Sequence, residues 1–553
     1  MADENKLSPQ YYLLPEGASR LIGREAQRTN IAVGVAVANI IKTTLGPKGM
    51  DKMLISDLGD IVVTNDGATI LNEMNVEHPV AKIMVDVAKT QDKEVGDGTT
   101  SVVILAGNLL KEAGEMIEQG VHPTTIISGY KLAADKAREE IKSIAKKLDT
   151  NDNETMEKIA MITLGSKNVG DEESKKTLAD MVIKAVRQVM EVTKDGRVTV
   201  DKDRIKLEKK TGASIEDTEY VNGILVDKEI VHPAMPKVIE NAKIALLDVA
   251  LEIEKTETEA RIEITSPEQM KAFLDQEETM LKEMAEKIKK SGANVVFTQK
   301  GIDDVAQHFL AKQGISACRR VKKSDMEMLS RATKARIVTT LDDLSPSDLG
   351  EAGRVEERKI NGDAMTFVEN CKDPKSVTIF IRGGSQQIVD EVERSLVDVI
   401  GVVTSVIQSG TYVLGGGAIY VELAQRLREY ASHISGKEQL AIEGFANAFE
   451  AIPKTLAENS GMDPIDTLVQ LRSKHKAKDG YVYGVDVINN VIADMDKRGV
   501  YEPSRVVEQA VMSAGEAAEM VLRIDDMISG KGSGRNAGAG GSQGGMPPEG
   551  GEY

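Results

Sequence analysis

The stretch Glu94-Val-Gly-Asp-Gly-Thr-Thr-Ser-Val-Val103 decides how this chain is read. Between Gly96 and Ser101 it packs two glycines, one carboxylate and three hydroxyls into six residues. Residues Val80 to Lys93 before it have helical spacing, and so do Val102 to Gln119 after it, which sets the motif at a helix N-terminus. Free backbone N–H groups there attract phosphate, and the glycines let the backbone come close. Thr99, Thr100 and Ser101 can donate to phosphate oxygens. Asp97 cannot. A carboxylate beside phosphates is repelled unless a cation lies between them, which points to Mg²⁺ at Asp97. The spacing is not that of a Walker A loop, and no Lys precedes the hydroxyls. A Gly-Asp-Gly turn that merely caps a helix accounts for the same residues, so the motif alone leaves both readings open.

Composition narrows the class. A chain of 553 residues corresponds to roughly three to four domains. A hydrophobic content of 41% with 29% charged residues is that of a globular protein. The net charge of −18 disfavours nucleic acid as a partner. Aromatic residues make up only 3% and Trp is absent, so stacking on bases or sugars is not expected. Cys318 and Cys371 lie far apart and suit a reducing cytosol. The six histidines form no HExxH or paired motif; His78, His122 and His232 precede proline and read as turn residues. Met1 to Lys6 is polar, and no apolar run approaches transmembrane length, which predicts neither a secretory leader nor a membrane partner.

Away from the motif the texture changes in order: helical, mixed, α/β, mixed, helical. Ala26 to Thr44 has helical spacing and is broken by Leu45-Gly-Pro-Lys-Gly-Met50. Asp60 to Ile70 reads as a hairpin closing at Asn65-Asp66-Gly67. Lys243 to Leu251 and Ala293 to Thr298 read as buried strands, joined by a helix from Pro267 to Lys290. That helix has Ser266 as N-cap, Gln269 completing a capping box and Gly292 as its stop. Its Met270, Phe273, Leu274, Leu281, Met284 and Ile288 follow helical spacing, and a polar insertion, Glu252 to Thr265, precedes it. Val377 to Ile381 is a further strand and Val389 to Gln408 a further helix. The tail, Gly530 to Tyr553, is glycine-rich and too poor in apolar residues to fold. Outer helical parts flanking a central insertion suggest one discontinuous domain.

Four clusters extend the nucleotide reading. Thr44-Leu45-Gly46-Pro47 ends a helix. Asn65-Asp66-Gly67 supplies a second carboxylate. Gly415-Gly416-Gly417-Ala418 opens a helix, and Glu502-Pro503 precedes another. Asp398 lies among Leu396, Val397, Val399 and Ile400, either as a solvated face residue or as a catalytic base. Together these clusters read as nucleotide plus Mg²⁺.

Longer runs carry a resemblance. Thr44-Leu-Gly-Pro-Lys-Gly-Met-Asp-Lys-Met53, Thr64-Asn-Asp-Gly-Ala-Thr-Ile70, Lys89 to Thr100 and Gly415 to Ala418 resemble the signatures of the chaperonins. Asn294 to Asp304, Arg320 to Glu327 and the insertion with its helix resemble the group II branch, the archaeal thermosome and its eukaryotic cytosolic relatives. The similarity runs from about Leu13 to Ile528.

The resemblance implies a multidomain α and α/β subunit. Its helical equatorial domain would be 1–150 with 409–529, and its mixed intermediate domain 151–222 with 373–408. An α/β apical domain, 223–372, would carry a lid protrusion at about 252–290, and 530–553 would be a flexible tail. It implies a cytoplasmic double ring, of one or several subunit types, that encloses non-native proteins and is driven by ATP. It implies that Gly96, Asp97, Gly98, Thr99, Thr100 and Ser101 hold the phosphates, with Asp97 on Mg²⁺. Thr44, Leu45, Gly46 and Pro47 would line the nucleotide from the other side, Gly416 and Gly417 would pack on sugar and base, and Glu502 would bind ribose. Asp486 would sit near adenine. Asp398 would deprotonate the attacking water, assisted by Asp66. Lys167 would sense the γ-phosphate, although Asn168 replaces the family's glycine after it. That departure motivates an alternative, a ring that binds nucleotide and holds clients with little turnover. A small-molecule kinase would need an acceptor pocket that nothing in the chain suggests.

Overall fold

The computed structural model describes residues 19–529 except 56–58, 60, 150–151, 168 and 254–265. The glycine-rich tail, most of the polar insertion and Asn168 lie outside the described residues.

The N-terminal part contains α1 (Arg24–Ile41), α2 (Gly67–Glu73), α3 (Pro79–Val95), α4 (Thr99–Glu118) and α5 (Pro123–Ile144). α4 is apolar around most of its circumference and is buried from Val102 through Gly107, as a central helix must be. α1 lies directly on it: a Cβ at Gly107 would come within 2.3 Å of the Ala38 Cβ. His78 and His122, read as turn residues, are the N-caps of α3 and α5, each accepting from a backbone N–H two residues on.

The expected hairpin at Asp60 to Ile70 is corrected. Ile61–Thr64 pairs antiparallel with the preceding strand, Lys52–Ile55. Asn65-Asp66-Gly67 is not its turn, because the Asp66 side chain accepts from the Thr69 N–H and caps α2. An aspartate serves equally well in a tight turn and at an N-cap. Ala68 to Leu71 continue as a helix that buries Ile70 and Leu71.

α6 (Asn153–Gly165) and α7 (Glu172–Val189) follow, then a sheet in which Ile205–Thr211 runs parallel to Val377–Gly383 and Glu219–Val221 antiparallel to it. Between the two halves of this sheet lies a seven-stranded mixed sheet. Val238–Leu247 is at its centre, parallel to Val295–Thr298 and antiparallel to Gly350–Ile360. α8 (Pro267–Ser291), α9 (Asp304–Lys312) and α10 (Lys323–Thr333) belong to this part. Ser266 caps α8 as expected, accepting from the Gln269 N–H at 3.2 Å, and Gly292 stops it in the left-handed region. Only the C-terminal half of α8 packs on the sheet, through Leu281, Ala285 and Ile288; Met270, Phe273 and Leu274 are exposed.

α11 (Gln386–Ser409) leads back to α12 (Ala418–Ala431), α13 (Glu438–Phe449), α14 (Ala451–Ser460), α15 (Pro464–His475), α16 (Met495–Arg498) and α17 (Ser504–Leu522). Of these, α12 to α15 and α17 share one apolar core with α1 and α3 to α5. A second core lies under the seven-stranded sheet. A third joins α6, α7 and α11. Among the described residues no helix is long and apolar enough to cross a membrane.

Candidate nucleotide site

The motif forms the joint between α3 and α4. Gly96 ends α3 at φ 75° and Gly98 caps α4 at φ 78°, a region that glycine enters without a Cβ penalty. The helix N-terminus therefore begins at Thr99, as both readings of the motif expect. Asp97 Oδ1 accepts from the Gly98 N–H at 2.6 Å, and Oδ2 accepts from Thr163 Oγ1 at 3.1 Å.

Asp66 and Thr99 meet across the site, Thr99 Oγ1 donating to Asp66 Oδ1 at 3.1 Å. Gly67 lies against Thr100: a Cβ there would stand 2.7 Å from Thr100 Oγ1. Lys167, just beyond α6, places Nζ 2.8 Å from Asp398 Oδ2 and 3.9 Å from Asp66 Oδ1. Asp398 is 7% exposed and Asp66 9%, so Asp398 is not a solvated face residue. Burial pushes the Asp398 carboxyl well above the usual range, with Lys167 pulling against it. Burial would also raise Asp66, but Lys167 and the donors Thr69 and Thr99 outweigh it and hold this carboxyl low. Burial works against the Lys167 ammonium; Asp398, Asp66 and Asp97 overcome it and raise its pKa. The cation is therefore held among carboxylates from separate elements.

α11 delivers Asp398 through a close contact. One turn along, Gly401 lies against Gly96, so that a Cβ on either residue would fall 2.7 Å from the other's Cα. The helix can approach the loop this closely only because both residues lack side chains.

The opposite wall is assembled differently. Asn459 Nδ2 donates to the carbonyls of Lys42 and Leu45, holding the Leu45-Gly46-Pro47 loop. Thr44 turns its hydroxyl back onto the Ile41 carbonyl at 2.8 Å, so that proton is not available to a ligand. Gly416 and Gly417 have φ of 62° and 77°, and Cβ atoms there would meet Met495 Sδ at 2.6 Å and Pro453 Cβ at 2.9 Å. Glu502 lies in a small sheet with Thr411–Leu414, which brings it beside Gly415. Burial and the Asp97 carboxylate push Glu502 up to about 7. Asp486 has its oxygens occupied by the Ile488 and Asn489 N–H groups, the Asn489 amide and Arg498. Those bonds shape the turn, and the Val485 N–H donates to the Gly416 carbonyl at 2.8 Å.

Sequence reasoning missed Thr163, Gln91 and Asp92. Gln91 had a signal: it falls on the apolar stripe of α3 with Met84, Ala88 and Val95, all of them buried. Burial and Asp66 raise the Asp92 carboxyl.

The donor set fits phosphate with a hard cation. Backbone N–H groups and hydroxyls converge at the N-terminus of α4, and Asp97 offers oxygen. Among the described residues no group of three metal-ligating side chains occurs. A single carboxylate beside phosphate donors is a donor set that Mg²⁺ can use, since it binds through one or two carboxylates plus substrate phosphates.

The profile of the TCP-1/cpn60 chaperonin family matches residues 37–532. The thermosome subunit of Methanopyrus kandleri is 58% identical over 521 residues, 94% of this chain and 95% of that protein. The Pyrococcus horikoshii thermosome subunit is 58% identical over 517 residues, 94% and 93% of the two chains. The thermosome subunit beta of Methanothermobacter thermautotrophicus is 55% identical over 539 residues, 97% and 98%.

Proposed function

The chain belongs to the TCP-1/cpn60 chaperonin family, and from that premise we propose that it is a subunit of a group II chaperonin, an ATPase that drives the folding of enclosed non-native proteins. The observation that carries this reading is the position of Asp398. It sits on α11, whose core is shared with α6 and α7, and it pairs with Lys167 beside α6, yet α11 at this point lies against Gly96 in the phosphate loop of the helical part. A base borne on one body and a nucleotide loop borne on another couple hydrolysis to relative motion of the two.

In this reading the helical parts, 1–150 with 409–529, form the equatorial domain. Residues 151–222 with 373–408 form the intermediate domain, and 223–372 the apical domain with the lid. The N–H groups and hydroxyls of Gly96 to Ser101 bind the phosphates. Leu45, Gly46 and Pro47, with the backbone of Thr44, close the cleft. Gly416 and Gly417 receive the sugar and base, Glu502 the ribose hydroxyls, and Asp486 shapes the turn on the adenine side. Mg²⁺ at Asp97 supplies charge neutralisation on the phosphates. Asp398 accepts the proton of the attacking water, and its raised pKa makes it a stronger base than an ordinary carboxylate. Lys167 orients it, and Asp66 balances the cation.

Two further features support assembly and client contact. The hairpin Lys52–Ile55 with Ile61–Thr64 exposes Met53, Ile55, Ile61 and Val63 on a two-stranded unit that needs a neighbour to be stable. The exposed Met270, Phe273 and Leu274 on α8 offer apolar surface to a client or to the next subunit's lid. We assign the particle to the cytoplasm, as a double ring of like subunits; Cys318 and Cys371 are free and buried, in keeping with a reducing compartment.

The test is refolding of a chemically denatured protein by the purified particle. Recovery that requires ATP with Mg²⁺ supports the proposal. Capture without ATP-dependent release would favour the holding ring instead.

A further inference from the structure

We propose that Gln91 is the positioning residue that aims the Asp97–Gly98 peptide, and with it the cation-binding carboxylate, at the nucleotide. The inference rests on the reading of Asp97 given above. Gln91 is completely buried on α3. Its Nε2 donates to the Asp97 carbonyl at 2.9 Å and to the Val506 carbonyl at 3.1 Å. Among the described residues its Oε1 has no hydrogen-bond partner.

The geometry of a trans peptide explains what the first bond does. The C=O of Asp97 and the N–H of Gly98 belong to one planar unit and point in opposite directions. Drawing that carbonyl inward to Gln91 turns the Gly98 N–H outward, where it donates to Asp97 Oδ1 at 2.6 Å. One amide thus orients both the first donor of the α4 N-terminus and the carboxylate beside it. This peptide turns about ψ of Asp97 and φ of Gly98, and Gly98, left-handed at φ 78°, tolerates a wide range of settings unless something holds it. Gly98 also makes room for the tether, since a Cβ there would lie 3.0 Å from Gln91 Nε2.

The second bond ties the same amide to α17, whose Val506 lies four residues beyond the proposed ribose ligand Glu502. Both halves of the cleft, far apart in sequence, are therefore registered by one side chain. Turning the amide over would set Oε1 against two carbonyl oxygens, so the orientation is determined. Oε1 is left without a partner while both bonds are made from Nε2, so the side chain acts through its donors.

The test is calorimetric binding of ADP with and without Mg²⁺ to the assembled particle, comparing wild type, Gln91→Met and Asp97→Ala. Met fills the same volume without donors. The proposal predicts that Mg²⁺ tightens ADP binding to the wild type and that Gln91→Met loses at least about 10-fold of that gain while sedimenting as an intact ring. A wild-type Mg²⁺ effect in Gln91→Met overturns it. So does an equal loss of ADP affinity with and without Mg²⁺, which would mark a merely structural tie. Asp97→Ala separates the two claims: if it keeps the full Mg²⁺ effect, the reading of Asp97 fails, whatever Gln91 does. Should Gln91→Met not assemble, Gln91→Asn withdraws the same amide by one methylene. It is expected to lose the Mg²⁺ effect, and keeping it would overturn the proposal.

Discussion

Replacing Lys167 by Met removes the cation that lies between Asp398 and Asp66 and leaves two buried carboxylates facing each other. The Lys167 and Asp398 side chains are 8% and 10% exposed and lie 2.8 Å apart. At an effective dielectric near 20, a pair at about 4 Å is worth about 4 kcal/mol before desolvation, and this one is closer. Breaking a buried pair from one side typically costs about 3–5 kcal/mol. A ceiling follows from proton uptake. An ordinary carboxyl with pKa near 3.9 can be protonated at pH 7.5 for about 5 kcal/mol, so Asp398 escapes by protonation before the penalty exceeds that. We expect Lys167→Met to lose about 3 kcal/mol at pH 7.5, read as the urea midpoint of the nucleotide-free particle. The sign with pH is determined. Without Lys167, Asp66 and Asp398 both have folded pKa values above their unfolded ones, so the folded state holds extra protons and stability falls as pH rises through that interval. In the wild type Asp66 lies low instead. The gap between variant and wild type must therefore shrink towards pH 5. A gap of the same size at both pH values, or no gap at all, would refute the electrostatic account of this triad.

Three further outcomes follow from the geometry. Gly401→Val puts a side chain where a Cβ alone already stands 2.7 Å from the Gly96 Cα; ATP turnover should fall by about 10- to 100-fold with ADP affinity retained, as steady-state kinetics and equilibrium binding will show. Glu502 has a folded pKa raised to about 7, so without nucleotide the wild type loses stability as pH rises from about 4.5 through 7. Glu502→Gln lacks that contribution, so its thermal midpoint should exceed the wild type's at about pH 8 and equal it near about pH 4.5. Serine at Met270, Phe273 and Leu274 together should leave the subunit's thermal midpoint within about a degree or two, because exposed positions carry little stability, while the refolding yield falls.

Much of the fold was legible because local chemistry and final structure agree. Ser266 and Gly292 bracket α8, and the glycines of the phosphate loop break α3 from α4 where the spacing predicted. The hairpin at Asn65-Asp66-Gly67 was misread because an Asx-Gly pair satisfies a tight turn and an N-cap alike. Only the helical run after it, with Ile70 and Leu71 buried in the core, decides between them. Asp398 could not be assigned from its apolar neighbours, since its burial depends on α6 bringing Lys167 from more than 200 residues away. Thr44 reads as a cleft residue only through the resemblance, and its hydroxyl donates to the Ile41 carbonyl at the end of α1. Gln91 is the opposite case, a polar residue on an apolar stripe, which is where a buried tether must appear.

The central claim is that a carboxylate carried on α11 is the base for hydrolysis at a loop carried by the helical part. The most direct measurement is ATP turnover by the assembled particle, wild type beside Asp398→Ala, with nucleotide binding measured on both. The account predicts that turnover falls at least about 100-fold in the variant while binding persists. Equal turnover in the two would remove Asp398 from the chemistry and contradict the account.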